Sequence, residues 1–181
     1  IEAMMQNGIA PVIDYCKPNL YPFEEYEIRK NECTRYAESL GLEIVDDDYD
    51  HEGWLEAVKG LEDEPERGGR CLKCFKIRLL RTARYAQSRG IKVITTTLAS
   101  SRWKSLDQIN EAGRWACSQI SGMSQGAVGS GRLGVDVSPV MFWEHNWRKG
   151  GLQERRLQII NEYGFYNQQY CGCEFSMRKD V

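Results

Sequence analysis

Segments with strand character alternate with helical segments along this chain, and this pattern constrains the fold more than any other feature. Apolar and β-branched runs occur at 10–16, 42–46, 91–98 and 135–143, and helix-like stretches with an apolar stripe lie between them. Many of these stretches end at a glycine or a proline, as helices and strands usually do. Alternation of this kind predicts an α/β protein with a mostly parallel sheet and helices on both faces.

The length of the chain predicts one domain. Its 181 residues are 41% hydrophobic, enough to bury a core without disulfide bonds. We expect a single domain over 1–181, with a Gly/Ser-rich insertion at 121–134 and a cysteine-bearing tail at 164–181. The chain opens with helix-like residues, so we expect an N-terminal strand and loop to precede Ile1.

Composition and charge narrow the classes of function. The chain has no run of about 18 apolar residues and no visible secretory leader. We therefore expect a cytoplasmic protein without a membrane partner. The formal net charge is -2, so any contact with nucleic acid must depend on a local basic patch.

The predicted sheet indicates where a site would lie. Ligands of parallel sheets sit beyond the carboxyl ends of the strands. Three segments follow strands in this way, at 16–19, 96–101 and 144–151. We expect the functional site among them.

Two close cysteine pairs carry the strongest chemical signal. Cys71 and Cys74 open a long basic helix, and Cys171 and Cys173 flank a glycine in the tail. A helix start favours thiolate over thiol, and Arg78 and Arg81 on the same flank strengthen that effect.

The other cysteines have simpler interpretations. Cys33 and Cys117 occupy apolar helix positions, which predicts that they pack as small hydrophobic residues. Cys16 ends a strand, where a structural and a functional role are both open.

Two pairs in one cytosolic domain favour a shared metal over separate roles. A redox dithiol also remains open for the first pair. Four thiolates suit either tetrahedral zinc or an iron-sulfur cluster. The residues alone do not choose between these metals.

Longer motifs resemble a known family. They are "YPFEEYEIRK" after "CKPNL", "WLEAVKGLEDEPERGGRCLKCFKIRL", "TTTLASS", "WRKGG" and "YGFYNQQYCGCEFS", in this order. Together they resemble the cobalamin-independent epoxyqueuosine reductase family, QueH, over nearly the whole chain except 121–134.

The resemblance implies a fold, a reaction and a set of ligands. It implies a Rossmann-like domain that holds a [4Fe-4S] cluster and an additional iron ion, and that removes the epoxide oxygen of epoxyqueuosine at the wobble position of tRNA. An external electron donor is the second implied partner. The implied metal ligands are Cys71, Cys74, Cys171 and Cys173. Family members also carry adjacent cysteines in a loop that would precede Ile1, and Asn146 stands where the family usually has an acidic residue.

Basic and aromatic residues are candidates for contact with RNA. The basic candidates are Lys73, Lys76, Arg84, Arg89, Arg148 and Lys149. Phe165, Tyr166 and Tyr170 either stack an unpaired anticodon base or pack the tail onto the fold.

Two other classes of function compete with the reductase. One is a zinc-stabilised module that binds tRNA without catalysis. The other is a nucleotide-activating enzyme of related architecture, although the chain contains no G-x-x-x-x-G-K-[ST] phosphate loop.

Overall fold

The computed structural model describes residues 1–123 and 139–177, and it is a mixed α/β structure. The helices are α1 (Glu2–Met5), α2 (Phe23–Ser39), α3 (His51–Val58), α4 (Gly69–Ser88), α5 (Leu106–Met123) and α6 (Leu152–Tyr163). The strands are β1 (Ile13–Cys16), β2 (Ile44–Asp47), β3 (Val93–Ile94) and β4 (Met141–Phe142). The predicted α/β class is therefore confirmed.

The chain divides into two compact units. The first comprises Ile1–Asp63 with Lys149–Val181, and the second comprises Glu64–Arg148. Among the residues that the structure describes, each unit contains one two-stranded parallel sheet, β1 with β2 in the first and β3 with β4 in the second. Parallel pairing is thus confirmed, whereas one Rossmann-like sheet in a single domain stays a prediction.

The first unit is built on a small core rich in aromatic side chains. Tyr15, Leu20 and Tyr26 are its buried centre, and half-buried Cys33 packs against them. Trp54 of α3 is also buried, with 1% of its surface exposed. The register pairs Cys16 with Asp47, so the carboxyl ends of β1 and β2 lie side by side.

Polar contacts fasten α6 to α1 and α2 in the first unit. Arg155 donates hydrogen bonds to both carboxylate oxygens of Glu2, at 2.6 and 2.8 Å. The Tyr36 hydroxyl of α2 donates to the same carboxylate at 3.1 Å. The hydrogen bonds from Arg155 are the main cause that lowers the pKa of Glu2.

The second unit is built on α4 and α5, which pack over β3 and β4. Its core contains Phe75 and Leu79 of α4 together with Ile109, Ala116 and Ile120 of α5. Helical spacing in the sequence predicts one core-facing stripe on α4, made of Leu72, Phe75, Leu79, Thr82 and Ala86. Phe75, Leu79 and Ala86 are buried as predicted. Thr82 is only half-buried and donates to the Arg78 carbonyl, and Ala83 takes the core position beside it.

Two predicted strands are shorter than their sequence pattern. The run at 91–98 forms a strand only at Val93–Ile94, because the Thr96 hydroxyl accepts the Leu98 N–H and starts a 3₁₀ turn over Thr97–Ser100. The run at 135–143 forms a strand only at Met141–Phe142 within the described part. The predicted insertion at 121–134 lies outside the described residues from 124 onward.

The carboxyl ends of β3 and β4 meet as parallel pairing requires. The Thr95 hydroxyl donates to the Trp143 carbonyl at 3.0 Å, and the Trp143 N–H donates to the Ile94 carbonyl at 2.8 Å. The segment at 144–151 therefore begins beside the segment at 96–101, as the strand pattern predicts. Among the helices that the structure describes, none has the length and apolar character needed to cross a membrane.

Candidate functional site

In the second unit, Cys71 and Cys74 lie one turn apart in the first two turns of α4. Residues three apart on a helix share a face, so the two thiols are directed to the same side. Cys74 is buried, with 8% of its surface exposed, and Cys71 is half-buried. The pair thus forms half of a potential metal site, at the edge of the core.

The loop before α4 contacts the Cys71 sulfur through a backbone N–H. Arg67 has a left-handed backbone, with φ of 69°, and its N–H donates to the Cys71 sulfur at 3.3 Å. The Arg67 carbonyl accepts from the Gln108 side chain at 2.8 Å, and its guanidinium donates to the carbonyls of Arg102 and Trp103 at 2.9 and 3.1 Å. The loop before α4 therefore places a backbone N–H donor against the Cys71 sulfur.

A carboxylate and a buried arginine lie at the start of α4, close to Cys71 in sequence. The Glu64 carboxylate accepts the Gly69 N–H at 2.9 Å and so caps the helix. Arg70, next to Cys71, is 98% buried, with only 2% of its surface exposed. Arg78 is half-buried further along α4. The sequence pattern predicts that the pair opens a helix, which the structure confirms. The pattern does not identify Arg67 or Arg70.

In the first unit, Cys171 and Cys173 lie on either side of Gly172. The backbone of Gly172 has φ of 99°, a conformation that residues with a side chain rarely adopt. A Cβ at this position would overlap Cδ2 of buried Leu20. The Gly172 carbonyl accepts the Tyr21 N–H at 2.9 Å. The turn between the two thiols therefore depends on glycine.

Ser176 links the two cysteines of the tail. Its hydroxyl lies 3.0 Å from the Cys171 sulfur and donates to the Cys173 carbonyl at 2.8 Å. The Ser176 N–H donates to that same carbonyl at 2.9 Å. The hydroxyl can therefore turn toward a Cys171 thiolate while the carbonyl keeps a partner.

A histidine and a glutamate lie beside this tail. His51, at the first turn of α3, has Nδ1 at 2.8 Å from the Pro18 carbonyl and Nε2 at 3.4 Å from Glu174 Oε1. Its ring stacks with Tyr21 and Tyr49. The segment 16–19 after β1, the start of α3 and the cysteine tail thus come together in the first unit. Sequence reasoning expected a site at 16–19 and missed both His51 and Glu174.

The other three cysteines, Cys16, Cys33 and Cys117, lie outside the two close pairs. Cys117 is 7% exposed in the core of the second unit, and burial raises its pKa to about 11. Burial also raises the pKa of Cys33. Cys117 lies in the core of the second unit and Cys33 packs against the core of the first, so the prediction that these two are packing residues is confirmed. Cys16 is buried at the end of β1, and its role stays open.

The predicted RNA residues have different surroundings. Lys73, Arg84, Arg89 and Lys149 are exposed. Lys76 forms an ion pair with Glu111 at 2.8 Å and lies over the Trp115 ring. Arg148 is half-buried and donates to the Lys104 carbonyl at 2.8 Å. Lys149 belongs to the first unit and the other five to the second.

The aromatic candidates in the tail pack against helix α2. Phe165 contacts the rings of Tyr36 and Tyr163. The Tyr166 hydroxyl donates to Glu25 at 2.9 Å, and the Tyr170 hydroxyl donates to the Tyr21 carbonyl. These contacts pack the tail onto the fold, and base stacking on these residues stays a prediction.

The structure brings the cysteines together as two pairs. Cys71 and Cys74 belong to the second unit, and Cys171 and Cys173 belong to the first. Within each unit, the residues that the structure describes include no group of three or more His, Cys, Asp or Glu side chains that could hold a metal ion. Each pair offers two sulfur ligands and thus fits as half of a four-thiolate set. Convergence of all four sulfurs stays a prediction.

Comparison with known proteins gives the family. The model of the family "Epoxyqueuosine reductase QueH" matches residues 1–127 and 130–179. Relatives named epoxyqueuosine reductase QueH from Histophilus somni and Haemophilus influenzae are 40% and 39% identical, each over 98% of this chain. The relative of the same name from Acinetobacter baylyi is 39% identical, also over 98% of this chain. The chain spans 66% of the length of the first two and 74% of the third. By this match, which extends over nearly all of its residues, the chain belongs to the epoxyqueuosine reductase QueH family.

Proposed function

We propose that this protein reduces epoxyqueuosine to queuosine in tRNA, at the wobble position. Membership of the QueH family is the observation that carries this proposal. The two cysteine pairs support it, because both lie at segment ends with polar donors nearby, unlike Cys117 in the core.

The reaction defines what the site must supply. Both C–O bonds at the epoxide oxygen are replaced by a carbon-carbon double bond and a molecule of water, which consumes two electrons and two protons. The electrons come from an external low-potential reductant, and the protons come from solvent or from side chains. A site for this reaction needs ligands for a redox centre and a group that stabilises the departing oxygen.

Cys71, Cys74, Cys171 and Cys173 are the proposed ligands of a [4Fe-4S] cluster and an additional iron ion. When bound, such a centre supplies electrons, and an iron with an open position acts as a Lewis acid toward oxygen. The Arg67 N–H near Cys71 and the Ser176 hydroxyl near Cys171 support thiolate ligands at these positions. The family's Rossmann-like fold is proposed with it, and parallel pairing in both units supports that fold.

The proposed tRNA contact depends on exposed basic side chains. Lys73 and Arg84 on α4 are exposed, as is Lys149. Lys76 and Arg148 belong to the proposed patch as well, but both already have partners within the second unit. The proposed location of such an enzyme is the cytoplasm, where its tRNA substrate is found.

Metal analysis after anaerobic reconstitution tests the proposal. We expect iron and acid-labile sulfide in the wild-type protein, and loss of both in Cys71→Ser/Cys74→Ser and in Cys171→Ser/Cys173→Ser. Cys33→Ser/Cys117→Ser is the matched control and should keep its iron. A chain that binds one zinc ion and no sulfide would instead indicate the non-catalytic tRNA-binding module.

Activity is measured separately on tRNA that carries epoxyqueuosine, with a chemical reductant. The expected product is the nucleoside that lacks one oxygen, identified by mass spectrometry after digestion. Reconstituted protein that holds iron and sulfide but leaves the epoxide intact would overturn the proposed reaction.

A further inference from the structure

We propose that Arg29 of α2 is a positioning residue for Cys171 and Cys173. The inference rests on the proposed function, because it assumes that these two cysteines are metal ligands. In the sequence, Glu25 and Arg29 of "FEEYEIRK" look like an ordinary i, i+4 ion pair on the surface of a helix. The structure shows contacts that the sequence does not indicate.

Arg29 is held firmly on its own helix. Its Nε donates to Glu25 Oε1 at 2.7 Å. The exposed fractions of the two side chains are only 10% and 9%. An ion pair that is so little exposed is screened far less by water than a surface pair. Glu25 thus fixes the guanidinium in one orientation.

The other side of the guanidinium faces the cysteine tail. Nη1 donates to Gln168 Oε1 at 2.7 Å, and Nη2 donates to the Tyr170 carbonyl at 3.1 Å. The guanidinium also lies over the Tyr170 ring, 5.3 Å from its centre. The Tyr170 carbonyl belongs to the peptide bond that leads into Cys171, so this contact acts directly before the first thiol.

Arg29 also lies close to the turn between the thiols. A Cβ on Gly172 would be 3.2 Å from Arg29 Nη1. On the other side of this turn, the Tyr21 N–H holds the Gly172 carbonyl. The Gly172 turn is thus enclosed by Arg29, Leu20 and Tyr21.

Glu25 contributes a second connection to the tail. Its Oε2 accepts the Tyr166 hydroxyl at 2.9 Å, while its Oε1 accepts from Arg29. The ion pair therefore contacts the tail at Tyr166, Gln168 and Tyr170. These contacts surround the backbone that leads to Cys171.

Only arginine can fill this position. Its planar guanidinium has five donors in a rigid fork, so one edge binds Glu25 while the other binds Gln168 and the Tyr170 carbonyl. Lysine keeps the positive charge but has a single nitrogen. Arg29→Lys therefore separates positioning of the tail from the presence of a charge.

The matched control is Arg35→Lys on the same helix. Arg35 pairs with Glu32 at 3.0 Å and donates to the Tyr163 carbonyl at 3.0 Å. It lies over the Phe165 ring. This arginine also joins α2 to the tail, but its contacts end at Phe165, well before the cysteines.

The first test uses metal-free protein. Iodoacetamide labelling, read by peptide mass spectrometry, gives the modification rate of each cysteine. We expect Arg29→Lys to speed labelling of Cys173 about tenfold, the effect of losing one charge-assisted hydrogen bond. Cys16, buried in the first unit, and Cys117, buried in the second, serve as internal references for unfolding of each unit. Arg35→Lys should label like wild type.

The second test uses reconstituted protein. We expect Arg29→Lys to bind less iron than Arg35→Lys and to show weaker sulfur-to-iron absorbance per iron bound, because fewer tail thiolates reach the metal. Glu25→Gln, which weakens the anchor of Arg29 but keeps an acceptor for Tyr166, should fall between Arg29→Lys and wild type in both tests.

The outcomes separate this inference from the proposed function. Unchanged labelling of Cys173 in Arg29→Lys, with Cys16 and Cys117 still protected, would overturn the positioning role. Faster labelling of Cys16 together with Cys173 would also overturn it, because it would indicate unfolding of the first unit. Absence of iron in wild type and variants alike would defeat the proposed function, whereas the labelling comparison in metal-free protein would still decide the role of Arg29.

Discussion

At the scale of single residues, the conformation of the tail depends on Gly172, because both its positive φ and its close contact with Leu20 exclude a larger residue. Gly172 has φ of 99°, and a Cβ there would overlap Leu20. Backbone strain at a residue with a side chain costs about 1–3 kcal/mol. Overpacking of a tightly packed site adds about 1–3 kcal/mol. Glycine is therefore required at position 172 both by the backbone conformation and by the packing of Leu20.

We predict that Gly172→Ala lowers the free energy of unfolding by about 2–6 kcal/mol and increases hydrogen exchange in the tail. Gly164→Ala is the control, because Gly164 has φ of 61° and open space around its Cβ position. That control should cost only about 1 kcal/mol. Urea unfolding and peptide-level hydrogen exchange give both quantities. Equal costs for the two variants would show that contact with Leu20 contributes nothing.

At the scale of elements, the close approach of α5 to β4 depends on Gly113. A Cβ on Gly113 would overlap the ring of Phe142. Phe142 belongs to β4 and packs against the core of the second unit. Alanine normally stabilises a helix interior by about 1 kcal/mol over glycine, so a loss of stability here would come from helix-to-strand packing.

We predict that Gly113→Ala destabilises the protein by about 1–2 kcal/mol, because overpacking exceeds the gain in helix propensity. In a Phe142→Leu background the smaller side chain removes the overlap, so the same substitution should become neutral or stabilising. A double-mutant cycle of urea unfolding measures this coupling. Additive effects of the two substitutions would contradict the packing argument.

At the scale of the whole molecule, electrostatics limits how the protein meets RNA. The formal net charge of -2 gives no general attraction to phosphate. The exposed candidates Lys73 and Arg84 therefore have to act as a local patch. Few phosphates would be neutralised, which predicts a shallow dependence of affinity on salt.

We predict that Lys73→Glu/Arg84→Glu weakens tRNA binding about tenfold or more at low salt and reduces the salt slope by about two. Lys59→Glu is the control, because Lys59 is 71% exposed but lies on the first unit beside Glu56. Filter binding or fluorescence anisotropy at several salt concentrations provides both values. Unchanged affinity in the double variant would mean that the patch lies elsewhere.

The sequence by itself determined the α/β class, the parallel pairing and the position of most helices. It also separated the packing cysteines Cys33 and Cys117 from the two close pairs. These features depend on hydrophobic periodicity, glycine stops and short spacings, all of which are local in the chain. The motifs that indicate the QueH family are also short, continuous stretches of sequence.

Only the tertiary structure decided which residues lie next to the cysteine pairs. Arg29 contacts Tyr170, which lies 141 residues away along the chain, and His51 approaches Glu174. Arg67, although near Cys71 in sequence, acts through a left-handed backbone that its residue type does not predict. The short length of β3, in contrast, has a local cause, because the Leu98 N–H donates to the Thr96 hydroxyl two residues earlier. Burial and long-range hydrogen bonds choose among residues that local patterns leave equivalent, because an arginine on a helix has the same periodicity whether water or a distant tail receives its hydrogen bonds.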